Sequence, residues 1–185
     1  PLRERHDLVL SLYERRGAAW TPVWQQGYSA LRAAGCAGGV LMAVGDYSIV
    51  RYAGGVAVAL DPTDDGIRNA AWRAVAVTPE GRAFIGGDAR YVLFWNGAKF
   101  EYFDLPGGLE IASVRALWGT GMGNLWAAGA LGNGRGFVLH FDGARWEPVD
   151  PLLAGPVEAL AGLRDGQLWV GGAGGALLRA ALPAP

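Results

Sequence analysis

Four charged residues recur at almost one spacing in this sequence: Arg32, Arg73, Arg115 and Glu158. Arg73, Arg115 and Glu158 each stand 14 residues before a glycine that closes an apolar run, and Arg32 stands 13 before its own. Guanidinium groups fork onto carboxylates and phosphates. Three of them converging with one carboxylate would make a net cationic mouth, suited to an anionic small molecule or glycan. The plainer account is that all four are solvated strand-entry residues, or that Glu158 pairs with an Arg neighbour. Asp46 and Asp88 directly follow two of the periodic glycines. They could accept hydrogen bonds or hold a cation, but an Asp beside Gly more commonly satisfies loop amides in a local turn.

The remaining chemistry-bearing residues do not assemble. His6 and His140 are the only histidines. His140, in FVLHFDG, shares a strand face with Val138 and Asp142, without the positioned Ser of a triad or a second metal ligand. It reads as a half-exposed strand histidine. Cys36 is the single cysteine, so no internal disulfide forms. Set in AAGCAGG, it reads as a buried, inert thiol. Gly119–Asn124 (GTGMGN) and Gly132–Gly136 (GNGRG) lack the Lys-Ser/Thr ending and the following helix of a phosphate loop, so they read as turns. No catalytic constellation stands out, an enzyme is not expected, and no residue set calls for a cofactor or metal.

The elements that must position these residues are set by a repeat. Gly45, Gly87, Gly129 and Gly172 end the runs LMAVG, AFIGG, LWAAG and LWVGG, at separations of 42, 42 and 43 residues. Six residues before each lies another glycine (Gly39, Gly81, Gly123, Gly166), and three before each lies Met42, Phe84, Trp126 or Trp169. A period of 40–45 residues carrying several strands marks a β-propeller blade. The earlier glycine predicts a tight hairpin with positive φ. The small pair closing the run predicts close approach of the next blade, and the bulky residue predicts inter-blade filling. Each unit divides into four strands. The first strands are Ala30–Ala34, Trp72–Val77, Val114–Leu117 and Val157–Ala161, and the second is the run ending at the periodic Gly. The third closes in SIVRYAGG, YVLFWNG and FVLHFDG, with turn signals at Asn96-Gly97 and Asp142-Gly143. The fourth runs Val56–Leu60, Lys99–Phe103 and Arg145–Val149, ending near Pro62, Pro106 and Pro151, where proline stops an edge from pairing further.

The fold class expected is therefore all-β: a propeller of four-stranded antiparallel blades within one domain over 1–185. Units fall at about 30–62, 72–106, 112–151 and 157–180, with a partial blade at 8–24. In that partial blade Leu8–Val23 matches Val138–Val149, as a third strand, a turn, and a fourth strand carrying Trp20 and Pro22. A rival amphipathic helix could span Arg3–Arg16. Two closures stay open: a four-bladed ring completed by strand exchange between the termini, or an arc of a larger propeller. The chain opens Pro1-Leu2-Arg3, with neither an initiating Met nor a signal pattern, which reads as a processed or excised piece and leaves the compartment unknown.

GNLWAAG…FVLHFDGARWEPV and GQLWVGG…ALLRA resemble the LWAVG…ILHYDGTSW repeats of bacterial β-propellers of the BNR-like and WD40/YVTN-like kinds. The resemblance covers roughly Ala30 to Ala180. The units lack the Gly-His and Trp-Asp signatures of eukaryotic WD40 repeats and the Asp box of sialidase-type repeats, so glycosidase activity does not carry over. The resemblance implies a recognition module, often of secreted or envelope proteins, and names no ligand.

Composition narrows the partners. With 16 basic against 17 acidic residues, no field steers nucleic acid, and no run of about 18 apolar residues offers membrane insertion. Of the eight tryptophans, the repeat assigns Trp126 and Trp169 to packing between blades and Trp20 and Trp146 to outer strands. Trp24, Trp72, Trp95 and Trp118 are left for stacking on a ligand. The expected function is a non-enzymatic interaction or scaffold module that binds a protein partner, or itself, through its loop face or edge strands. The alternative is a small-ligand or glycan propeller using the Arg-rimmed channel.

Overall fold

In a computed structural model the repeat folds as blades. The structure describes residues 9–27, 30–149, 154–162 and 167–181. His6, Gly166 and the Asp150-Pro151 exit lie outside them. Three sheets have four antiparallel strands in sequence order. The first holds β3 (Leu31–Ala37), β4 (Val40–Gly45), β5 (Ser48–Ala53) and β6 (Val56–Leu60). The second holds β7 (Trp72–Val77), β8 (Ala83–Gly87), β9 (Tyr91–Trp95) and β10 (Phe100–Asp104). The third holds β11 (Ile111–Gly121), β12 (Asn124–Leu131), β13 (Gly136–Phe141) and β14 (Trp146–Val149). The fourth blade is three-stranded: β15 (Val157–Gly162), β16 (Gln167–Gly172) and β17 (Leu177–Ala181). All of this is the expected all-β propeller architecture.

The N-terminal segment is a hairpin of β1 (Val9–Arg16) and β2 (Ala19–Gly27), which excludes the helical reading over Val9–Arg16. It forms a sheet of its own. Its β2 leans on β6 of the first blade, and its turn brings Glu14 and Arg16 beside Tyr52. Strand exchange with β17 is not formed among the described residues. The first strands pack in series instead, β3 on β7, β7 on β11 and β11 on β15, and among the described residues no comparable packing joins β15 to β3. The sheets stand as an arc of consecutive blades.

Apolar burial between neighbouring blades holds the arc. Met42, Ile49, Trp72, Ile85 and Trp95 share the core between blades one and two. Phe84, Phe94, Val114, Leu125 and Phe141 share the next, and Trp126, Val138, Val157 and Leu168 the last. The periodic bulky residue behaves as expected in three units, with Met42, Phe84 and Trp126 at most 3% exposed. Trp169, the fourth, is only partly buried because no described blade follows its own. The Arg179 guanidinium lies 5.9 Å from its ring centre.

Turn chemistry matches the sequence with one exception. Gly39 and Gly81 take positive φ (76° and 78°), whereas Gly123 does not. In the loops after β9 and β13, Asn96 Oδ1 accepts from the amides of Ala98 and Lys99, and Asp142 Oδ1 accepts from those of Ala144 and Arg145. GTGMGN closes the β11–β12 hairpin and GNGRG forms the β12–β13 loop, where Leu131 N donates to Arg135 O. Pro62 starts a 3-10 turn capped by Asp61, whose side chain accepts from Thr63 N.

Candidate functional site

In an antiparallel blade the first strand begins on the same end as the turn from second to third strand. That end therefore gathers the starts of β3, β7, β11 and β15 with the residues after each periodic Gly. Arg32, Arg73, Arg115 and Glu158 lie there and line a single cavity of about 340 Å³. The convergence rests on a shared backbone irregularity. Leu31 pairs with Gly45 and Ala33 with Val44, leaving Arg32 as the extra residue of a β-bulge. The register likewise skips at Arg73 between Trp72 and Ala74, at Arg115 between Val114 and Ala116, and at Glu158 between Val157 and Ala159. A bulge takes one side chain out of the strand's alternation and re-aims it. Here the same step in four blades turns a charged group toward the middle of the arc.

The periodic glycine makes room for that bulge. A Cβ at Gly45, Gly87 or Gly129 would strike the backbone carbonyl oxygen of Ala30 or Ala71, just before the first strand of the same blade, or of Ser113, on it. Ala30 O and Ala71 O in turn accept from Asp46 N and Asp88 N, both at 2.9 Å. The small pair thus has two roles, only one of them toward the next blade. Gly86 faces Val114 and Leu117 of blade three, while Gly87 faces its own first strand.

The charges at the mouth are matched one for one. Arg32 donates from Nε and Nη2 to both carboxylate oxygens of Asp46, at 2.6 and 2.7 Å. Arg73 holds Asp88 by the same fork, at 2.5 and 2.6 Å. Arg115 pairs across a blade boundary with Glu158 and donates from Nε to Ser113 Oγ at 3.0 Å. Asp46 and Asp88 are therefore ion-pair partners as well as loop residues, and the ring is charge-balanced rather than net cationic. Arg32 holds the Asp46 carboxyl below the usual Asp range, with Arg73 adding to the effect. Charges of other blades reach each site: Arg32 feels Arg73 and Asp88 of blade two, and Arg73 feels Asp46 of blade one and Glu158 of blade four. These side chains are about a third to a half exposed. Pairs this exposed add little to stability, so their work is to fix side-chain direction.

Other candidates take structural places. Cys36 is exposed, not buried, because it shares the exposed side of β3 with Ala34. Trp72 is fully buried and donates from Nε1 to Asn69 Oδ1, and Trp95 is 8% exposed, so neither is available for ligand stacking. Trp118 lies against Gly162 of blade four, where a Cβ would meet its ring. His140 is half-buried, stacked on Trp126 at 4.3 Å, with Nε2 3.0 Å from Asn124 Oδ1. Burial pushes its pKa down, which suits a packing role. Among the described residues no group of three or more His, Cys, Asp or Glu could hold a metal, and no helix is long and apolar enough to cross a membrane.

A second cavity, of about 490 Å³, opens on the same end between blades one and two, and sequence reasoning passed over it. Tyr47, Arg68, Asn69, Asp88, Ala89 and Tyr91 are among its walls. Its one sequence signal was Tyr47, a large aromatic residue placed in a second-to-third-strand turn.

No protein-family model and no curated protein matches the sequence. Solved structures do resemble the fold. A structure described as YCF48 bound to D1 peptide aligns with a TM-score of 0.66 at 18% identity, over 94% of this chain and 58% of that one. PorZ, a bacterial surface component of the type-IX secretion system of Porphyromonas gingivalis, aligns at 0.65 and 15% identity, over 94% of this chain and 29% of its own. A catalytically inactive H270A virginiamycin B lyase from Staphylococcus aureus aligns at 0.61 and 11% identity, over 96% and 74%. The chain thus spans little more than half of the first of these and under a third of the second. At such identities the likeness establishes a propeller-type fold and nothing finer.

Proposed function

We propose that this chain is a binding module whose blades act as one unit, presenting the end that carries the charged ring to a protein partner. The observation that supports this most is the bulge. In four blades it re-aims one charged side chain to the same end, where each is held by an ion pair on a rigid sheet. Rigidly presented, charge-matched groups suit recognition of a partner with its own pattern of charge, where wrong partners are rejected by unpaired charges. Among the neighbours one is a peptide complex and another a lyase, so fold alone does not assign the role; the re-aimed ring favours binding. The partly exposed Trp169 face and the outer edge of β17 offer a further contact for a partner or a second copy.

The test is site-specific photo-cross-linking in an extract of the source organism. A benzophenone side chain at Ala89, on the ring end, is expected to give protein adducts. One at Ala98, in the turn at the opposite end of the same blade, is expected to give none. Equal adduct formation at both sites would overturn the assignment of the face. A second reading, anion or glycan binding at the ring itself, is favoured by the shared 340 Å³ cavity. On that reading an organic acid such as glucuronate must displace a carboxylate already in place. It should raise the melting temperature of the wild type and fail to do so when Arg73→Ala is combined with Arg115→Ala.

A further inference from the structure

The groove between blades one and two carries a more specific assignment, which rests on the partner-binding reading above. Its walls come from both blades: Tyr47 from the turn after β4, Arg68 and Asn69 from the connection into β7, Ala89 and Tyr91 from the turn and strand after β8. The Arg73–Asp88 pair joins it to the charged ring: Asp88 lines the groove and Arg73 lines the ring cavity.

Two features set this groove apart. Tyr47 has φ 58°, the only positive φ at a non-glycine residue among those described, and it is 67% exposed. A left-handed aromatic residue persists only where its surroundings hold it, and such strain concentrates at binding sites. Blade two supplies the hold: Tyr47 N donates to Ala70 O at 3.2 Å, and Asn69 Nδ2 donates to Tyr47 O at 3.1 Å. The second feature is Arg68. It is exposed and makes no ion pair among the described residues, in contrast to all three arginines of the ring.

The polar groups of the wall are otherwise committed. Asn69 Oδ1 accepts from Ala70 N and Trp72 Nε1, Asp88 is held by Arg73, and Tyr91 Oη donates to Arg68 O. What the groove has left to offer is one guanidinium and an exposed phenol ring. That suits a carboxylate beside a flat or apolar side chain. A sugar, whose several hydroxyls each need a partner, fits it poorly.

We propose that this groove docks an extended acidic peptide segment of the partner protein, its carboxylate on Arg68 and a neighbouring aromatic or aliphatic side chain against Tyr47 and Tyr91. The volume lies within the range of known ligand pockets, about 300–1,000 Å³. Bidentate guanidinium–carboxylate geometry supplies the orientation.

A random-peptide phage library panned on the purified chain tests this, with fluorescence anisotropy of an enriched, labelled peptide as the readout. Enriched peptides should carry Asp or Glu next to a bulky side chain. Arg68→Ser should weaken the labelled peptide at least tenfold, and so should Tyr47→Gly. Lys99→Ser, in the turn at the opposite end, should leave it unchanged. Glycine tolerates the left-handed backbone, so Tyr47→Gly should melt no lower than the wild type, which separates lost binding from lost folding. Enriched peptides that bind both variants as tightly as the wild type would overturn the groove and leave the module reading intact. An oligogalacturonate that binds in an Arg68-dependent way, with no peptide enriched, would replace the peptide by an acidic glycan. No enrichment together with no cross-linked adduct at Ala89 would refute both readings.

Discussion

Replacing Gly129 with alanine should unseat the bulge that aims Arg115. The new methyl would fall on the Ser113 carbonyl oxygen and lie 3.0 Å from both the Ser113 carbonyl carbon and the Arg115 amide nitrogen. These are backbone atoms, so no side-chain rotation relieves the contact. The carbonyl oxygen lies only 2.0 Å from the added Cβ, far inside the ordinary contact range of about 3.5–4.0 Å, so β11 must retreat from β12 by about 1 Å or more. Overpacking of this kind costs about 1–3 kcal/mol, and a weakened ladder hydrogen bond adds about 1 kcal/mol. The lower entropy of the unfolded alanine chain returns about 0.4–1 kcal/mol. The net expectation is about 1–3.5 kcal/mol of destabilisation, read as a lower urea midpoint at unchanged slope. At about 2–4 °C per kcal/mol for a chain of this size, the melting temperature should fall by about 2–14 °C. Gly107→Ala is the matched control. Nothing lies within 4 Å of its Cβ and its φ is not left-handed, so it should be neutral or slightly stabilising. If the two variants differ by less than about 0.5 kcal/mol, a margin within which surface substitutions usually fall, the glycine is not what accommodates the bulge.

Three further outcomes follow from the same structure. Arg32 depresses the Asp46 pKa in the folded state, so this carboxylate contributes stability above its unfolded pKa and loses it as the pH falls through the folded one. Carboxyl NMR should show Asp46 titrating below the ordinary value of about 3.9 and rising toward it in Arg32→Ala. The His140 pKa is depressed by burial beside Trp126. Its imidazole should titrate below about 6.5, and its contribution to stability should fade as the pH drops through the unfolded value toward the folded one. Trp126→Ala should cost about 3–5 kcal/mol, as for a buried Trp in a core. Trp169→Ala, at the equivalent but partly exposed position, should cost clearly less by urea denaturation. An equal cost would mean that something covers Trp169.

The blades were legible because their signals are local and repeated. A glycine at a fixed period, a bulky residue three before it and an Asx-Gly turn after the third strand each report a backbone requirement within one hairpin. The ring was legible for the same reason: Arg73, Arg115 and Glu158 share an offset from that glycine. Their partners were harder to see. Pairing Arg32 with Asp46 requires the register skip beside Gly45, and a bulge leaves no periodic mark of its own. A usable signal did exist. The two units with Asp after the glycine satisfy their own Arg, while the units with Ala130 and Ala173 pair Arg115 with Glu158 across the boundary. The groove was the least visible feature. Its walls come from residues as distant in sequence as Tyr47 and Tyr91, and only the packing of one blade on the next brings them together. Cys36 misled because small neighbours suggest burial, whereas in β3 every second residue is exposed.

The bulge also separates two tasks that a strand normally fuses. In an alternating strand, exchanging a residue's polarity disturbs whichever face it belongs to. Here the variable position has been lifted out of the alternation, so the apolar residues on either side keep their register whatever side chain it carries. Arg in three blades and Glu in the fourth sit at the same register skip of the first strand. Each blade thus offers a socket whose charge can be rewritten without refolding the sheet around it. A propeller built this way can vary the charge it presents blade by blade, with the packing between blades left in place.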